Sequence, residues 1–319
     1  MNRLVAIVGP TGVGKSRLAL VLAQAFNGEI VSADSRQVCR YMDIATAKPD
    51  RQELACIRHH LVDIINPSDD FGLAQYQGLA HRAISDIGQR HKLALLVGGS
   101  GLYVWSVLEG WGIPRVPPDP ELRHSLEARA AKVGKDELYR ELEQVDPAAA
   151  SRIDRRNLRR VIRALEVYRG TQAPSPRQQS GKAPPYDSLI IGLTADRAEL
   201  YRRIDSRVDA MIERGLVEEV KSLVARGYGL DLPAMSGIGY RQIGMFLEGA
   251  LTLEAAVQQI KFESHRFVRR QYNWFKLKDD RIRWFDIQEK ADPEIMKLVD
   301  RFISQEQAKD HFLAYQGHR

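Results

Sequence analysis

The stretch Gly9-Pro10-Thr11-Gly12-Val13-Gly14-Lys15-Ser16 decides the fold prediction for this 319-residue chain. It matches G-x-x-x-x-G-K-[ST] at every fixed position, and the apolar run Leu4 to Val8 comes directly before it. Ser16 to Phe26 follows with helical spacing. The apolar positions that this spacing predicts on one helical face are Leu18, Val21, Leu22 and Ala25. A strand, this glycine loop and a helix, in that order, are the context of a P-loop.

The residue types of this loop suit a phosphate group. Glycines allow backbone N–H groups to close around phosphate oxygens, and the N-terminus of the following helix adds a favourable dipole. Lys15 supplies a positive charge, and the Ser16 hydroxyl can hold Mg²⁺. The motif therefore predicts phosphate binding, against the alternative of a glycine turn without a ligand. It does not identify a nucleotide.

Strand and helix patterns alternate through the first hundred residues. Glu29 to Ala33, His59 to Ile65 and Leu93 to Val97 have the composition of short buried strands, and Phe71 to Arg90 has that of a helix. This order predicts an α/β domain with a parallel sheet. The chain would return to that sheet at Leu189 to Leu193 and again at Ile282 to Phe285. These two later patterns are the last strands that we expect.

After Pro114 the alternation of strand and helix patterns gives way to helical patterns alone. The segment PRVPPDPE at 114–121 has four prolines and resembles a linker, residues 119–170 are helical in pattern, and 169–188 form a polar loop. We therefore predict a P-loop NTPase-like core, with a parallel sheet flanked by helices, that is interrupted by an all-helical insertion. The predicted segments are 1–114 and 188–290 for the core, 115–187 for the insertion and 291–319 for a C-terminal tail.

Composition excludes several classes of protein. No apolar run approaches the ~20 residues that a transmembrane helix needs. Cys39 and Cys56 are too few for a disulfide framework, so we expect a cytoplasmic chain without a membrane partner. The formal charge of +6 permits a polyanionic partner without demonstrating one.

Two further strand ends carry polar residues. Asp34-Ser35-Arg36-Gln37 follows the second strand pattern, and Gly98-Gly99-Ser100-Gly101 follows the fourth. Ligands of open parallel sheets bind beyond the carboxyl ends of the strands, which places both segments beside the P-loop. Asp34 is a candidate general base or metal ligand, or a carboxylate that caps a turn. Ser100 is a candidate hydrogen-bond donor to a leaving oxygen, or a helix N-cap.

Asp63 ends the third strand pattern, where a carboxylate for Mg²⁺ could stand. A structural aspartate is an equally good interpretation of this position. The sequence leaves both interpretations open.

Positive charge concentrates between Arg155 and Arg169, where six arginines occur within 15 residues. Arg156, Arg160 and Arg163 would share one helical face, with few carboxylates near them. Arginine forks match phosphate oxygens, so this helix is a candidate contact for a nucleic-acid backbone. A solvated basic face is the alternative. In a second arginine-rich helix, Arg266 to Phe275, we expect Phe267 and Trp274 to pack onto the core instead of stacking on bases.

Longer stretches resemble the bacterial tRNA dimethylallyltransferases, the IPP transferase family. The resemblance covers roughly residues 3 to 286. The matching stretches are GPTGVGKS at 9–16, SADSRQVCRYMDIATAKP at 32–49, HHLVDI at 59–64, LLVGGSGLY at 95–103, DPELR at 119–123, RRVIRALEVY at 159–168 and GIGYRQI at 237–243.

The resemblance implies transfer of a dimethylallyl group from dimethylallyl diphosphate to N6 of the adenosine 3′ to the anticodon, in tRNAs that read UNN codons. The P-loop, with Lys15 and Mg²⁺ on Ser16, would hold the diphosphate, and Arg207 would reach it. Asp34 would accept the N6 proton, and Ser100 would bond the bridging oxygen. The family often has Thr at this last position, and Ser retains the hydroxyl.

The resemblance also implies contacts to the tRNA anticodon stem-loop. Asp34 to Gln37 would hold the target adenine, flipped out of its stack, and Ser100 would be a further tRNA contact. The other implied contacts are Arg123, then Arg159, Arg160, Val161, Ile162 and Arg163, and then Ser236, Gly237, Ile238, Gly239, Tyr240 and Arg241. We expect a monomer that binds no zinc.

Three other functions remain open at this stage. One is an isopentenyltransferase acting on free adenine nucleotide, against which the arginine helix argues. Another is a small-molecule P-loop kinase. The third is a non-catalytic RNA-binding module, against which the intact Lys15, Ser16, Asp34 and Ser100 argue.

Overall fold

The computed structural model describes residues 3–114, 116–173, 185–289 and 291–316. Its central element is a six-stranded sheet in which every pair of neighbouring strands is parallel. The strands, in chain order, are β1 (Arg3–Val8), β2 (Gly28–Ser32), β3 (His59–His60), β4 (Leu93–Val97), β5 (Asp187–Thr194) and β6 (Ile282–Asp286). Their spatial order is β3-β2-β4-β1-β5-β6. The predicted α/β fold with a parallel sheet is confirmed.

The sheet forms where the sequence has unbroken apolar runs. Leu4 to Val8 of β1 and Leu95 to Leu96 of β4 are fully buried, because strands in the middle of a parallel sheet are covered on both faces. Both strands that return late in the chain are present: β5 pairs with β1, and β6 pairs with β5. The order of the strands places β4 between β1 and β2.

The described residues also form α-helices, which fall into three groups along the chain. Those before the linker are α1 (Lys15–Ala25), α2 (Arg51–Cys56), α3 (Leu73–Gln89) and α4 (Gly101–Leu108). The following ones are α5 (Pro120–Val133), α6 (Lys135–Val145), α7 (Pro147–Ala150) and α8 (Leu158–Thr171). The last group is α9 (Arg197–Glu213), α10 (Leu216–Ala225), α11 (Tyr240–Leu247), α12 (Leu253–Trp274) and α13 (Asp292–Gln316).

The buried face of α1 differs from the predicted one. Its buried residues are Leu18, Ala19, Leu22 and Ala23. Val21 is half-buried and Ala25 is exposed, so the helix turns its small residues Ala19 and Ala23 towards the core instead. Small side chains allow this helix to approach the sheet closely, which a count of apolar residues does not reveal.

The described residues divide into two compact units. The first takes its residues from Met1–Phe71, Tyr76–Leu108 and Pro184–Arg319, and contains the sheet. The second takes them from Gly72–Gln75 and Glu109–Ala183. Arg115 and most of the predicted polar loop at 169–188 lie outside the residues that the structure describes.

The second unit has an apolar core of its own, and its complete helices are α5 to α8. Leu138 and Leu142 of α6 are fully buried there, together with Val161, Ile162 and Leu165 of α8. Helix α5 begins at Asp119, whose side chain accepts a hydrogen bond from Leu122 N, with Pro120 in the first turn. This cap and the proline in the first turn explain why a helix begins directly after the proline-rich segment.

The arginine-rich helix begins later than predicted. Asn157 is the N-cap of α8 and accepts from Arg160 N. Asp154 accepts from Arg156 N in a turn just before it. Arg155 and Arg156 therefore precede the helix, so the predicted face of Arg156, Arg160 and Arg163 does not form.

The second arginine-rich helix differs in part from the prediction. Helix α12 packs onto the core through Ala256, Ile260, Val268 and Gln271. Phe267 and Trp274 are instead 38% and 37% exposed. The apolar stripe lies on the side of the small and branched residues. Phe267 lies outside it, and the partly exposed Trp274 ring lies against Gly101 of α4.

The segment predicted only as a C-terminal tail includes helix α13, whose Ile295 and Val299 are buried in the core of the first unit.

Within the ranges described above, the helices all lack the combination of length and apolar character that a bilayer crossing demands.

Candidate active site

The P-loop lies where β1 ends and α1 begins, as predicted. Gly9 has a φ of 136°, and a Cβ atom there would lie 2.4 Å from the carbonyl oxygen of Leu193, so only glycine fits. Gly14 is the N-cap of α1, which leaves the first amides of the helix without a capping side chain. Such a helix start offers N–H groups and a positive dipole end to an anion. Val13 is fully buried and anchors the loop in the core.

Two cations are held beside this loop by neutral oxygens. Lys15 Nζ donates to the carbonyl of Pro10 at 2.7 Å, and Arg207 Nη1 of α9 donates to Thr11 Oγ1 at 3.2 Å. Burial lowers the pKa of Lys15 to about 7, although the Asp34 carboxylate opposes this shift. Burial likewise lowers the pKa of Arg207, again opposed by Asp34. Both shifts mean that the protonated side chains would gain from an anionic ligand.

A cavity of about 500 Å³ opens at this edge of the sheet. Its lining joins residues from β2, α1, α9 and the loops after β1 and β4. The predicted site residues among them are Thr11, Gly12, Gly14, Lys15, Ser16, Asp34, Gln37 and Arg207. The P-loop, the candidate base and the candidate diphosphate arginine therefore face one space.

Asp34 follows β2 and is half-buried. Its Oδ1 accepts from Arg36 N at 2.9 Å, so it closes a local turn as one interpretation of the sequence expected. This turn and the cavity are compatible, because a carboxylate has a second oxygen that can accept further hydrogen bonds.

Ser100 precedes α4, but its side chain does not cap that helix. Its carbonyl oxygen accepts from Val104 N, so it stands at the start of α4. Its Oγ instead accepts from Ser35 N at 3.1 Å and lies 3.4 Å from Ser35 Oγ. The Ser100 hydroxyl is thereby tied to the loop that carries Asp34.

Arg36 anchors the Asp34 loop to the short 3₁₀ helix Pro233–Ser236. Its Nη1 donates to the carbonyls of Pro233 and Ala234, and its Nη2 donates to Ser236 Oγ. Two stretches predicted to contact the same ligand are thus neighbours. Beyond them, Arg241 is exposed, whereas Gly237, Gly239 and Tyr240 are buried.

The side chain of Gln37 holds its own loop. Its Oε1 accepts from Ser32 Oγ, and its Nε2 donates to the carbonyls of Thr46 and Ala47. Asp63, the other candidate for a metal site, has a φ of 56° and pairs with Lys48 Nζ. Asp63 is not among the residues that line the cavity, so its structural interpretation is the better one.

Sequence reasoning missed two residues that hold the site together. Gln271 of α12 accepts from Thr11 N at 2.8 Å and donates to the carbonyl of Gly99 at 3.1 Å. Glu219 of α10 accepts from the backbone N–H groups of Asp43 and Ile44 and from the Tyr240 hydroxyl. Both contacts join residues that are far apart in sequence, so no local pattern signals them.

The arginines of the helical unit are less free than predicted. Glu166, which is 1% exposed, accepts from Arg123 Nε and Nη2 at 2.9 Å each and also pairs with Arg163. Val161 and Ile162 lie in the core of the unit. Only Arg159 and Arg160 of the predicted α8 stretch are exposed. A buried glutamate inside the helix supplies the neutralising charge that the sequence pattern did not suggest.

These features define a class: an α/β protein with a P-loop, in which the cavity beside that loop is also lined by a carboxylate that follows β2. Comparison with known families agrees with that class and identifies a particular family within it. Residues 37–278 match the family described as IPP transferase, and residues 2–69 match the one described as isopentenyl transferase.

Curated relatives match along most of the chain. A protein of Roseiflexus sp. (strain RS-1) is 53% identical over 86% of this chain and 90% of its own length. One from Thermomicrobium roseum is 47% identical over 98% of this chain and 95% of its own length. Both are named tRNA dimethylallyltransferase. The chain belongs to the IPP transferase family, whose members use a diphosphate substrate.

Solved structures agree with this assignment. The full-length tRNA isopentenylpyrophosphate transferase of Bacillus halodurans is 40% identical, with a TM-score of 0.72, over 98% of this chain and 100% of that one. A eukaryotic dimethylallyltransferase, described as acting on tRNA, is 26% identical with a TM-score of 0.82, over 96% of this chain and 80% of that one.

Proposed function

We propose that this chain transfers the dimethylallyl group of dimethylallyl diphosphate to N6 of the adenosine 3′ to the anticodon, in tRNAs that read UNN codons, and releases diphosphate. One observation carries the proposal: Lys15, Arg207 and Asp34 line a single cavity beside a P-loop, in a chain whose relatives are named for this activity. The two cations can neutralise charge on the diphosphate, and the carboxylate can accept a proton from the amine.

In the reaction, the bond from C1 of the allyl group to the diphosphate oxygen breaks, and a bond from N6 to C1 forms. The electron pair of the broken bond stays on diphosphate, where negative charge grows in the transition state. Lys15, Arg207 and the P-loop amides stabilise that charge, because they are already in place before the reaction begins. The allylic cation is resonance-stabilised, so a loose transition state is accessible.

Asp34 accepts the proton that N6 loses as it attacks. Its carboxylate lines the same cavity as Lys15 and Arg207, which supports a proton acceptor and leaving-group cations acting in one site. Ser100 donates its hydroxyl proton towards the bridging oxygen. Its Oγ accepts from Ser35 N and, without substrate, donates to Ser35 Oγ at 3.4 Å, a long contact that the proton leaves when it turns to the substrate.

Mg²⁺ fits this site through Ser16. The Ser16 hydroxyl is exposed and lines the cavity, and Mg²⁺ at phosphate sites takes few protein ligands because phosphate oxygens and water complete its shell. The described residues contain no cluster of three His, Cys, Asp or Glu for a metal held by protein alone. When bound, the ion neutralises negative charge on the diphosphate.

For the tRNA, the exposed Arg159, Arg160, Ser236 and Arg241 are the best supported contacts. Arg159 and Arg160 are exposed in the helical unit, and a guanidinium fork matches the geometry of phosphate oxygens. Arg123 and Arg163 would need to reach the tRNA while held by Glu166. The buried Val161, Ile162 and Tyr240 support these surfaces from beneath.

The test is a transfer assay with purified protein, Mg²⁺, dimethylallyl diphosphate and an unmodified tRNA that has adenosine 3′ to the anticodon. Mass spectrometry of the digested tRNA should find prenyl-adenosine at that position alone. AMP replaces tRNA in a second reaction, and ATP replaces dimethylallyl diphosphate in a third. Product from AMP but not from tRNA would favour a free-nucleotide enzyme, and phosphorylated product would favour a kinase.

A further inference from the structure

The side-chain amide of Gln271 joins two loops of the site. Its Oε1 accepts from the backbone N–H of Thr11 in the P-loop, and its Nε2 donates to the carbonyl of Gly99, directly before Ser100. Gln271 is 4% exposed, so water does not compete for these bonds. One amide with both a donor and an acceptor satisfies one backbone group of each loop.

The space around this amide is closed. A Cβ atom on Gly99 would lie 2.2 Å from Gln271 Nε2 and 3.3 Å from the carbonyl oxygen of Gly9. The loop after β4 therefore approaches α12 and the P-loop as closely as a backbone can. Thr11 is held from its other side as well, because its Oγ1 accepts from Arg207. The amide sets the distance between the two loops. At position 99 a residue larger than glycine would clash with the Gln271 side chain.

We infer that Gln271 is a positioning residue, which fixes the P-loop and the Ser100 loop at one spacing around the leaving diphosphate. The inference rests on the proposed function. It follows from the arrangement of the site: Lys15 and Arg207 act from the P-loop side, and Ser100 acts from the other loop. Groups that stabilise one leaving group from two loops must keep a constant separation, since a small misplacement is costly to the rate.

Two substitutions at Gln271 and one control test the inference. Gln271→Met keeps the length of the side chain and removes both hydrogen bonds. Gln271→Glu keeps the acceptor for Thr11 N but offers no donor to the Gly99 carbonyl, and it provides a second variant if the first does not fold. Gln77→Met is the matched control, because Gln77 Nε2 donates to the backbone carbonyl of Ser106 in α4 at 2.7 Å.

For each folded variant, kcat and the KM for dimethylallyl diphosphate are measured well below the melting temperature. In the Gln271 variants, kcat should fall about tenfold or more, while KM changes less than about threefold, because spacing matters most in the transition state. Gln77→Met should stay within about twofold of wild type. A kcat in both Gln271 variants that equals that of the control would overturn the inference.

Hydrogen exchange provides a second readout that needs no substrate. If the wild-type chain transfers no dimethylallyl group, the proposed function fails by itself, and exchange then decides the inference. Peptides with Thr11 and with Ser100 should both exchange faster in Gln271→Met and not in Gln77→Met. Unchanged exchange in both peptides would show that Gln271 does not hold the loops.

Discussion

The two units of the chain use positive charge in opposite ways. In the sheet-containing unit, Lys15 and Arg207 donate to neutral oxygens of the P-loop, and burial lowers the pKa of each. In the helical unit, Arg123 and Arg163 donate to the carboxylate of Glu166. The first arrangement leaves cations that an anionic ligand would stabilise, and the second uses cations to stabilise the unit itself.

The same residue type therefore does not imply the same role. A cation that is held by carbonyl and hydroxyl oxygens is poised for a ligand, because it gains most of its electrostatic stabilisation only when that ligand arrives. A cation that is paired with a buried carboxylate already has its electrostatic stabilisation without a ligand. Each prediction below concerns a charged residue of one of the two units.

The largest effect is expected for Asp34→Ala, which removes the proton acceptor of the proposed reaction. We expect kcat to fall about 100- to 1,000-fold, as for other general bases, while the fold is retained. Steady-state transfer to tRNA measures this, with circular dichroism to check folding. Asp63→Asn is the matched control, because Asp63 pairs with Lys48 outside the cavity. Equal losses in both variants would contradict the assignment.

Lys15 should show a dependence on pH. Its pKa is lowered to about 7 by burial, so at pH 8.5 most molecules must take up a proton as they bind an anion. From pH 6.5 to 8.5, the affinity for inorganic pyrophosphate should therefore fall about tenfold more in wild type than in Lys15→Arg, whose side chain stays charged. Calorimetric titration measures both proteins, and the ionisation of pyrophosphate itself is common to them. Parallel pH profiles would contradict the role of Lys15.

Glu166→Gln should destabilise the helical unit by about 2 kcal/mol at pH 7, since it leaves Arg123 and Arg163 with a neutral partner. Burial acts to raise the pKa of Glu166, but hydrogen bonds from both arginines outweigh it and hold that pKa below its usual range. This stabilisation is present above the pKa of the unfolded chain and disappears as pH falls through the folded pKa.

The measurement for Glu166→Gln is urea unfolding at pH 7 and at pH 3.5, with the difference from wild type compared. We expect that difference to shrink at the lower pH. Glu137→Gln is the control, because its exposed pair with Arg140 should contribute little at either pH. A constant difference at both pH values would argue against the charged network.

The smallest effect is expected for Arg159→Ala combined with Arg160→Ala, which removes two exposed cations of the helical unit. The affinity for tRNA should fall about threefold to tenfold, and the slope of log affinity against log salt should lose about one unit for each phosphate contact. Filter binding at several salt concentrations measures both. Arg152→Ala with Arg155→Ala, also exposed but before α8, is the control pair. An unchanged slope would show that Arg159 and Arg160 do not meet phosphate.

Local patterns predicted the parts of the fold that depend on neighbouring residues. The strand Leu4 to Val8, the glycine loop and the following helix were all predicted, because periodicity and turn chemistry act over a few positions. The start of α8 was missed although its cause is local: Asn157 and Asp154 bond nearby backbone N–H groups and exclude Arg156 from the helix.

Contacts between distant residues were beyond the sequence. Gln271 meets Thr11 across 260 positions, and Glu219 meets Ile44 across 175. Neither residue type is unusual in a helix, so nothing in the local pattern distinguishes it from a solvent-exposed residue. Asp34 and Arg207 line the cavity beside the P-loop, whereas Ser100 is hydrogen-bonded to Ser35 and is not among the lining residues. Their chemical roles remain predictions.

The order of the strands in the sheet has a consequence for how the chain folds as it is synthesised. Strand β1 pairs with β4 on one side and with β5 on the other, and Arg3 lies beside Asp187. A growing chain that has made the P-loop must add the whole helical unit before β5 can emerge from the ribosome. Until then one edge of β1 has no partner, and such edges invite pairing with other chains. The helical unit, whose contacts are local, can fold during that interval, so the edge of the sheet that carries the P-loop is completed late.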